Sequence, residues 1–204
     1  MVELTGVCMV GYPCAGKTEA NHVAMQRDIP TFSMGDLVRE RVAEEHGVDA
    51  RQDEDLVGRF ATEQRAEHGQ GVVAKWLIND LREFEQSNSE SADVVLIDGL
   101  RSVDEMQVLR EELSEFLLVY VFAPFEDRID RIIERGRGSE AEFIGDDGVV
   151  DREKAVEYLS NRDAREDSWG LQKVVDEELY DIRVDNTESV EAFHDSIDRV
   201  LGEI

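Results

Sequence analysis

The residues Gly11-Tyr12-Pro13-Cys14-Ala15-Gly16-Lys17-Thr18 fit the pattern G-x-x-x-x-G-K-[ST]. Such a stretch works only between a strand and a helix, so it constrains the fold around it. Residues 4–10 are mostly apolar, with Val7, Met9 and Val10, and read as a buried strand. Ala20, Val23 and Ala24 then recur at helical spacing. Gly11 and Gly16 let the backbone curl until successive N–H groups converge on phosphate oxygens. The helix that follows points its positive end at the same anion. Lys17 can reach the β- and γ-phosphates of a nucleotide, and the Thr18 hydroxyl can ligate Mg²⁺. The whole run from Gly11 through Tyr12, Pro13, Cys14, Ala15 and Gly16 to Lys17 and Thr18 is the expected ATP-phosphate site.

The remainder of the chain alternates between the two periodicities. Residues 28–33 read as a short strand broken by Pro30. A helix follows, with Asp36 as the expected N-cap and Leu37, Val38 and Val42 inside it. Residues 44–55 are a polar connection, and 57–67 a helix ended by His68-Gly69-Gln70-Gly71. Residues 72–84 form an amphipathic helix with Val73, Trp76, Leu77, Ile78 and Leu81 as its apolar set. A Ser-rich loop covers 86–92. Strands are expected over 93–98 and 116–122, apolar enough to be buried on both faces. Helices are expected over 103–113, 126–135 and 151–167. Residues 137–150 are Gly- and acid-rich, and 169–178 give no firm period. A last strand at 180–184 and a helix at 189–201 close the chain. Strands of buried type alternating with helices mean an α/β fold, a parallel five-stranded sheet with helices on both faces. At 204 residues one domain is expected, 1–204.

Charge limits the partners. The formal net charge is -26, with only four lysines among 22 basic residues. So acidic a surface repels nucleic acid and anionic membranes. In molar salt the Debye length falls to roughly 3 Å, which makes an acidic shell tolerable, and the composition resembles that of proteins from salt-accumulating archaea. Cys8 falls in the first strand and Cys14 in the loop. A disulfide between them would distort the loop, so both are expected to be reduced in a cytoplasmic protein. The chain shows no apolar run near 18 residues and no charged-then-apolar leader, so neither membrane spanning nor export is expected.

Val95-Leu96-Ile97-Asp98 ends a buried strand on a carboxylate, which can hold Mg²⁺ beside the Thr18 hydroxyl. Arg39 follows the second strand and Arg101 the third, so both project near the carboxyl edge of the sheet, where ligands bind in such folds. Arg131 and Arg135 share a helix face, and Arg162 and Arg165 share another. Guanidinium groups grip phosphate oxygens and stabilise charge on a moving phosphoryl group. Arg128 and Arg137 read instead as surface ion pairs. His22, His46, His68 and His194 have no partner spacing and read as surface residues.

These residues carry a resemblance. Ser33-Met34-Gly35-Asp36-Leu37-Val38-Arg39 resembles the adenylate-kinase stretch S-T-G-D-M-L-R. Leu96-Ile97-Asp98-Gly99-Leu100-Arg101 resembles L-L-D-G-F-P-R, one residue shorter. Asp130-Arg131-Ile132-Ile133-Glu134-Arg135 resembles D-R-I-V-G-R, and Asn161-Arg162-Asp163-Ala164-Arg165 is a looser match to the lid arginines. The order is kept over nearly the whole chain. The likeness is to the archaeal adenylate-kinase-related P-loop proteins, with nucleoside monophosphate kinases and dephospho-coenzyme A kinases further away. Two positions depart from the adenylate-kinase loop, where Cys14 and Thr18 stand. The resemblance implies acceptor-side helices over about 36–85 and a small lid over about 137–165. It implies that Arg131 packs on adenine, that Arg135 and Arg162 close on the transferring group, and that Arg39 and Arg101 bind the acceptor. Asp36 is the candidate base if the acceptor offers a hydroxyl.

The expected function is therefore Mg²⁺-dependent transfer of the ATP γ-phosphoryl to a small-molecule acceptor, a nucleoside monophosphate or similar. The alternative is a nucleotide-dependent switch acting on a protein partner, since one fold serves both.

Overall fold

A computed structural model of the chain describes residues 2–47, 54–87, 92–135, 143 and 150–204. The first strand, β1 (Val2–Val10), leads through the Gly11–Thr18 loop into α1 (Lys17–Gln26). Then come β2 (Thr31–Ser33) and α2 (Met34–His46), α3 (Glu54–His68) and α4 (Val72–Ser87). Next are β3 (Val94–Asp98), α5 (Val103–Glu112), β4 (Leu113–Phe122) and α6 (Phe125–Arg135). The chain closes with α7 (Arg152–Trp169), α8 (Leu171–Asp176), β5 (Ile182–Asp185) and α9 (Val190–Gly202).

The five strands form one sheet in the order β2-β3-β1-β4-β5, and every pairing is parallel. The alternation of the strands sorts their side chains into two layers. Cys8, Val10, Val95, Ile97 and Leu118 pack with α2, α3, α4, α5 and α8 on one face. Val7, Met9, Leu96, Val119 and Val121 pack with α1 and α9 on the other. A smaller cluster, Ile129, Ile132, Phe143, Ala155 and Leu159, joins α6 to α7. This is the doubly covered α/β sheet that the buried-type strands imply.

Several expectations change in detail. Ser33, not Asp36, caps α2: its hydroxyl accepts from the Asp36 N–H at 3.1 Å, so the helix starts at Met34. The sequence offered two capping side chains three residues apart, and the earlier one has the extended backbone a cap requires. The strand β2 is only three residues long because the expected first half, 28–30, is a turn and short connection in which Asp28 has φ 57°. The strand β4 begins at Leu113, directly from α5. The undecided stretch after Trp169 is broken at Gly170, whose φ of 116° ends α7 and lets α8 restart. Of the expected lid, 137–142 and 144–149, with Arg137, lie outside the described residues, and α7 forms most of the remainder.

Register brings the strand ends together. Asp98 pairs with Met9 on one side and with Ser33 on the other. The phosphate-loop candidate, the strand-end carboxylate and the start of α2 therefore meet at the carboxyl edge of the sheet. In this order β1 is the strand from which the connections diverge, the place where open α/β sheets form their ligand crevice.

Candidate functional site

The loop Gly11–Thr18 takes a shape that only certain residues allow. Gly16 has φ 120°, and a Cβ there would lie 2.2 Å from Asn186 Nδ2. At Gly11 a Cβ would meet the Val121 carbonyl oxygen at 2.4 Å. Cys14 is also left-handed, with φ 62°, which is costly for a side-chain-bearing residue. Mixed-handed backbone of this kind turns consecutive N–H groups inward and makes an anion nest. The loop ends on the N-terminus of α1, where Gly16 makes no side-chain cap and the first N–H groups lack one.

The outward-facing carbonyls of the loop are held from behind. Arg131 donates to the carbonyls of Cys14, Ala15 and Asn186 at 3.3, 3.2 and 2.7 Å. The Asn186 side chain donates to Ala15 O at 2.8 Å. Arg128 donates to Pro13 O at 3.2 Å and grips Asp163 with both terminal nitrogens, at 3.0 and 2.7 Å. The expectation for Arg128 is thus half corrected. It is an ion pair, but a buried one against the loop, because Asp163 on α7 folds over it. Tyr12 donates to Asp167 at 2.8 Å, and burial together with that carboxylate pushes the Tyr12 pKa up. The helix α7 is therefore fastened to the loop directly through Asp167 and, one turn earlier, indirectly through Asp163 and Arg128 of α6.

Lys17 is 8% exposed and donates to Gly11 O at 2.7 Å and Tyr12 O at 3.1 Å. Burial lowers its pKa to about 8, Arg101 adds to the shift, and Asp98 opposes it. Thr18 is exposed on the first turn of α1. The Asp98 Oδ1 atom is buried and makes no hydrogen bond. A buried acceptor without a partner needs an explanation, and a divalent cation supplies one. Two hard oxygen donors, Thr18 Oγ and the Asp98 carboxylate, suit Mg²⁺, which takes few protein ligands and keeps waters.

A cavity lies beside the ends of β2 and β3. It measures about 80 Å³ and is lined by Arg39, Arg65, Arg101, Arg162, Arg165, Glu166 and Trp169. Five arginines converge here in a chain of net charge -26. Arg101 Nε pairs with Glu166 at 3.0 Å, and Arg65 pairs with Glu105 at 2.7 Å. Glu105 also accepts from the Arg101 backbone N–H at 2.6 Å. Arg65 stacks over Trp169 at 4.5 Å, and Arg165 lies at 6.0 Å from the same ring. Gly58 makes room for the Arg165 guanidinium, since a Cβ there would come within 2.6 Å of it.

The sequence-expected residues thus divide. Lys17, Thr18, Asp98 and Arg131 gather at the loop. Arg39, Arg101, Arg162 and Arg165 gather at the cavity. Asp36 sits at its outer rim, exposed and paired with Arg39 at 3.0 Å. Arg135 lies at the exposed end of α6. His194 is half-buried and pairs with Glu19 at 3.1 Å, so it is not a plain surface residue. Sequence reasoning missed Arg65, Glu105, Asp163, Glu166, Asp167 and Asn186. Only Asn186 had a local signal, since it directly follows the last strand.

Neither Cys8 nor Cys14 forms a disulfide. No helix among the described residues is long and apolar enough to cross a membrane.

Comparison with known proteins agrees with this architecture. The AAA domain family matches residues 7–145. A UPF0200 protein of Methanosarcina barkeri is 32% identical over 197 residues, covering 96% of this chain and 94% of that protein. One from Halobacterium salinarum is 35% identical, covering 95% and 90%. A longer UPF0200/UPF0201 protein of Archaeoglobus fulgidus is 33% identical, covering 98% of this chain and 56% of its own. Among solved structures, TT1252 from Thermus thermophilus superposes with TM-score 0.58 at 18% identity, covering 99% and 98% of the two chains. That likeness concerns the fold alone. The chain belongs to the UPF0200 family of archaeal proteins and is built on a P-loop AAA domain.

Proposed function

We propose that this protein is a Mg²⁺- and ATP-dependent small-molecule kinase that transfers the γ-phosphoryl group to a nucleoside monophosphate or similar anionic acceptor. The observation that carries the reading is the five-arginine cavity next to a phosphate loop in a strongly acidic protein. The loop N–H groups and Lys17 would hold the ATP phosphates. Thr18 and Asp98 would hold Mg²⁺, which when bound neutralises charge on the phosphates. Arg131 has its edge fixed by three carbonyls, so its flat face is what remains to pack on adenine. Arg39 and Arg101 would bind the acceptor. Arg135 and Arg162 would stabilise charge on the transferring group. Catalysis is then positioning and charge stabilisation.

The test is a panel of nucleoside monophosphates and dephospho-coenzyme A with Mg·ATP at high salt, scored for ADP and phosphorylated acceptor. High salt suits the acidic shell and a cytoplasm rich in salt. With a phosphate acceptor, Arg39→Ala lowers acceptor kcat/KM by on the order of a hundredfold and Asp36→Asn changes it by less than about threefold. The reverse ranking would assign a hydroxyl acceptor with Asp36 as base.

Asp98→Asn makes a separate prediction. It raises the Mg²⁺ concentration needed for half-maximal turnover by about tenfold or more. It leaves stability within about 0.5 kcal/mol, because Oδ1 gives up no hydrogen bond. A Mg²⁺ titration beside a thermal melt checks both halves.

A second reading, a nucleotide-dependent switch, draws on the two α7 attachments to the loop, Tyr12–Asp167 and Arg128–Asp163. Protein-stimulated ATP hydrolysis without any phosphorylated metabolite would favour it.

A further inference from the structure

We propose that Glu166 occupies the anion position of the acceptor cavity and thereby makes the site selective for a dianionic phosphomonoester over monoanionic or neutral ligands. The proposal rests on reading this cavity as the acceptor site.

Glu166 is 5% exposed. Its carboxylate lies in the cavity lining, where Oε2 is 3.0 Å from Arg101 Nε as an ion pair but is buried without a hydrogen-bond partner. The other groups of Arg101 are partly committed as well: Nη1 donates to Leu100 O at 2.9 Å, and the backbone N–H goes to Glu105. A bidentate grip by Arg101 on an incoming anion along its Nε edge therefore requires Glu166 to leave. Helical spacing gives the displaced carboxylate somewhere to go. Arg162 is four residues earlier on α7, within side-chain reach along the same face.

The exchange sets a charge threshold. A neutral polyol offers nothing for Arg101 in place of a carboxylate. A monocarboxylate replaces one negative charge with another and gains little. A phosphomonoester dianion brings a second charge into a cavity also lined by Arg39, Arg65, Arg162 and Arg165. The competing view is that Arg101–Glu166 is only a structural bridge. It differs in one respect: the damage from removing a structural bridge is not repaired by an anion.

The chain has two tryptophans, and Trp76 stacks under Arg41 away from the cavity. A Trp76→Phe protein leaves Trp169, on the cavity wall, as the reporter. Inorganic phosphate and acetate are titrated into it at about pH 7.5 and constant ionic strength, with and without Glu166→Gln. The parent is expected to respond to phosphate and not to acetate. Glu166→Gln should bind phosphate about tenfold more tightly and now respond to acetate. Without anion its thermal midpoint should be lower than the parent's, and phosphate should restore more of it than it adds to the parent. Equal phosphate affinity in the two proteins, or acetate binding by the parent, overturns the proposal and leaves the acceptor-site reading standing. A phosphate response that survives Arg101→Gln, or no response in either protein, overturns both.

Discussion

Lys17→Ala is expected to lower nucleotide affinity by on the order of a hundredfold to a thousandfold while leaving the fold intact. Lys17 is a buried cation whose two hydrogen bonds go to the backbone of the loop it serves. No carboxylate among the described residues forms an ion pair with it, so an arriving phosphate is its natural partner. Its pKa of about 8, against 10.5 in the unfolded chain, makes the effect visible in pH as well. Nucleotide binding needs the charged ammonium. Affinity is therefore flat below about pH 8 and falls as pH rises through it, by up to about tenfold per pH unit. Stability of the ligand-free protein runs the other way. Between about pH 8 and 10.5 the unfolded chain holds the proton that the folded chain has lost, so stability rises with pH across that window. Below it, the buried charge costs stability on the order of 3 kcal/mol. Cys8, whose pKa is raised by burial, contributes with the opposite sign above pH 9. Comparing unfolding of the parent and Lys17→Met across the window isolates the lysine. A nucleotide affinity that holds steady from pH 7 to 10 would sink this account of the loop.

Glu105→Ala carries the largest expected effect on stability, about 3–5 kcal/mol. Glu105 is fully buried and binds both the Arg65 guanidinium and the Arg101 N–H. Its removal leaves Arg65, 4% exposed, as a buried charge without its carboxylate. For a chain of this size the loss lowers the thermal midpoint by on the order of 10 °C. Salt does not mask it, because screening acts on exposed charges. Replacing both partners, Arg65→Met with Glu105→Leu, is expected to be far milder than either single change, since no uncompensated charge remains. Thermal unfolding of the two singles and the double gives the ranking directly. A double as unstable as the sum of the singles would contradict it.

The parts of the site written in contiguous residues were legible, and the parts made by distant contacts were not. Gly11 to Thr18 declares itself because eight neighbours must share one conformation. Asp98 declares itself because it ends an apolar run. Arg128 looked like a surface ion pair because its carboxylate, Asp163, is 35 residues away. Asn186 reaches Ala15 across 171 residues. Glu105 and Glu166 could not be picked from 48 acidic residues by composition. What sets them apart is burial, and burial is decided by α3, α5 and α7 closing round the arginines. The α2 cap was misplaced for a smaller reason, two competent side chains within one turn.

The pairing of Asp98 with Met9 and Ser33 has a consequence for how this chain can vary. Side chains on a strand alternate between faces, so a one-residue shift of β3 would turn Asp98 away and present Ile97 or Gly99 instead. Apolar residues such as Val95 and Ile97 therefore act as a ruler that positions the carboxylate proposed to hold the cation. A single-residue insertion early in β3 should leave a folded, nucleotide-binding protein that no longer responds to Mg²⁺.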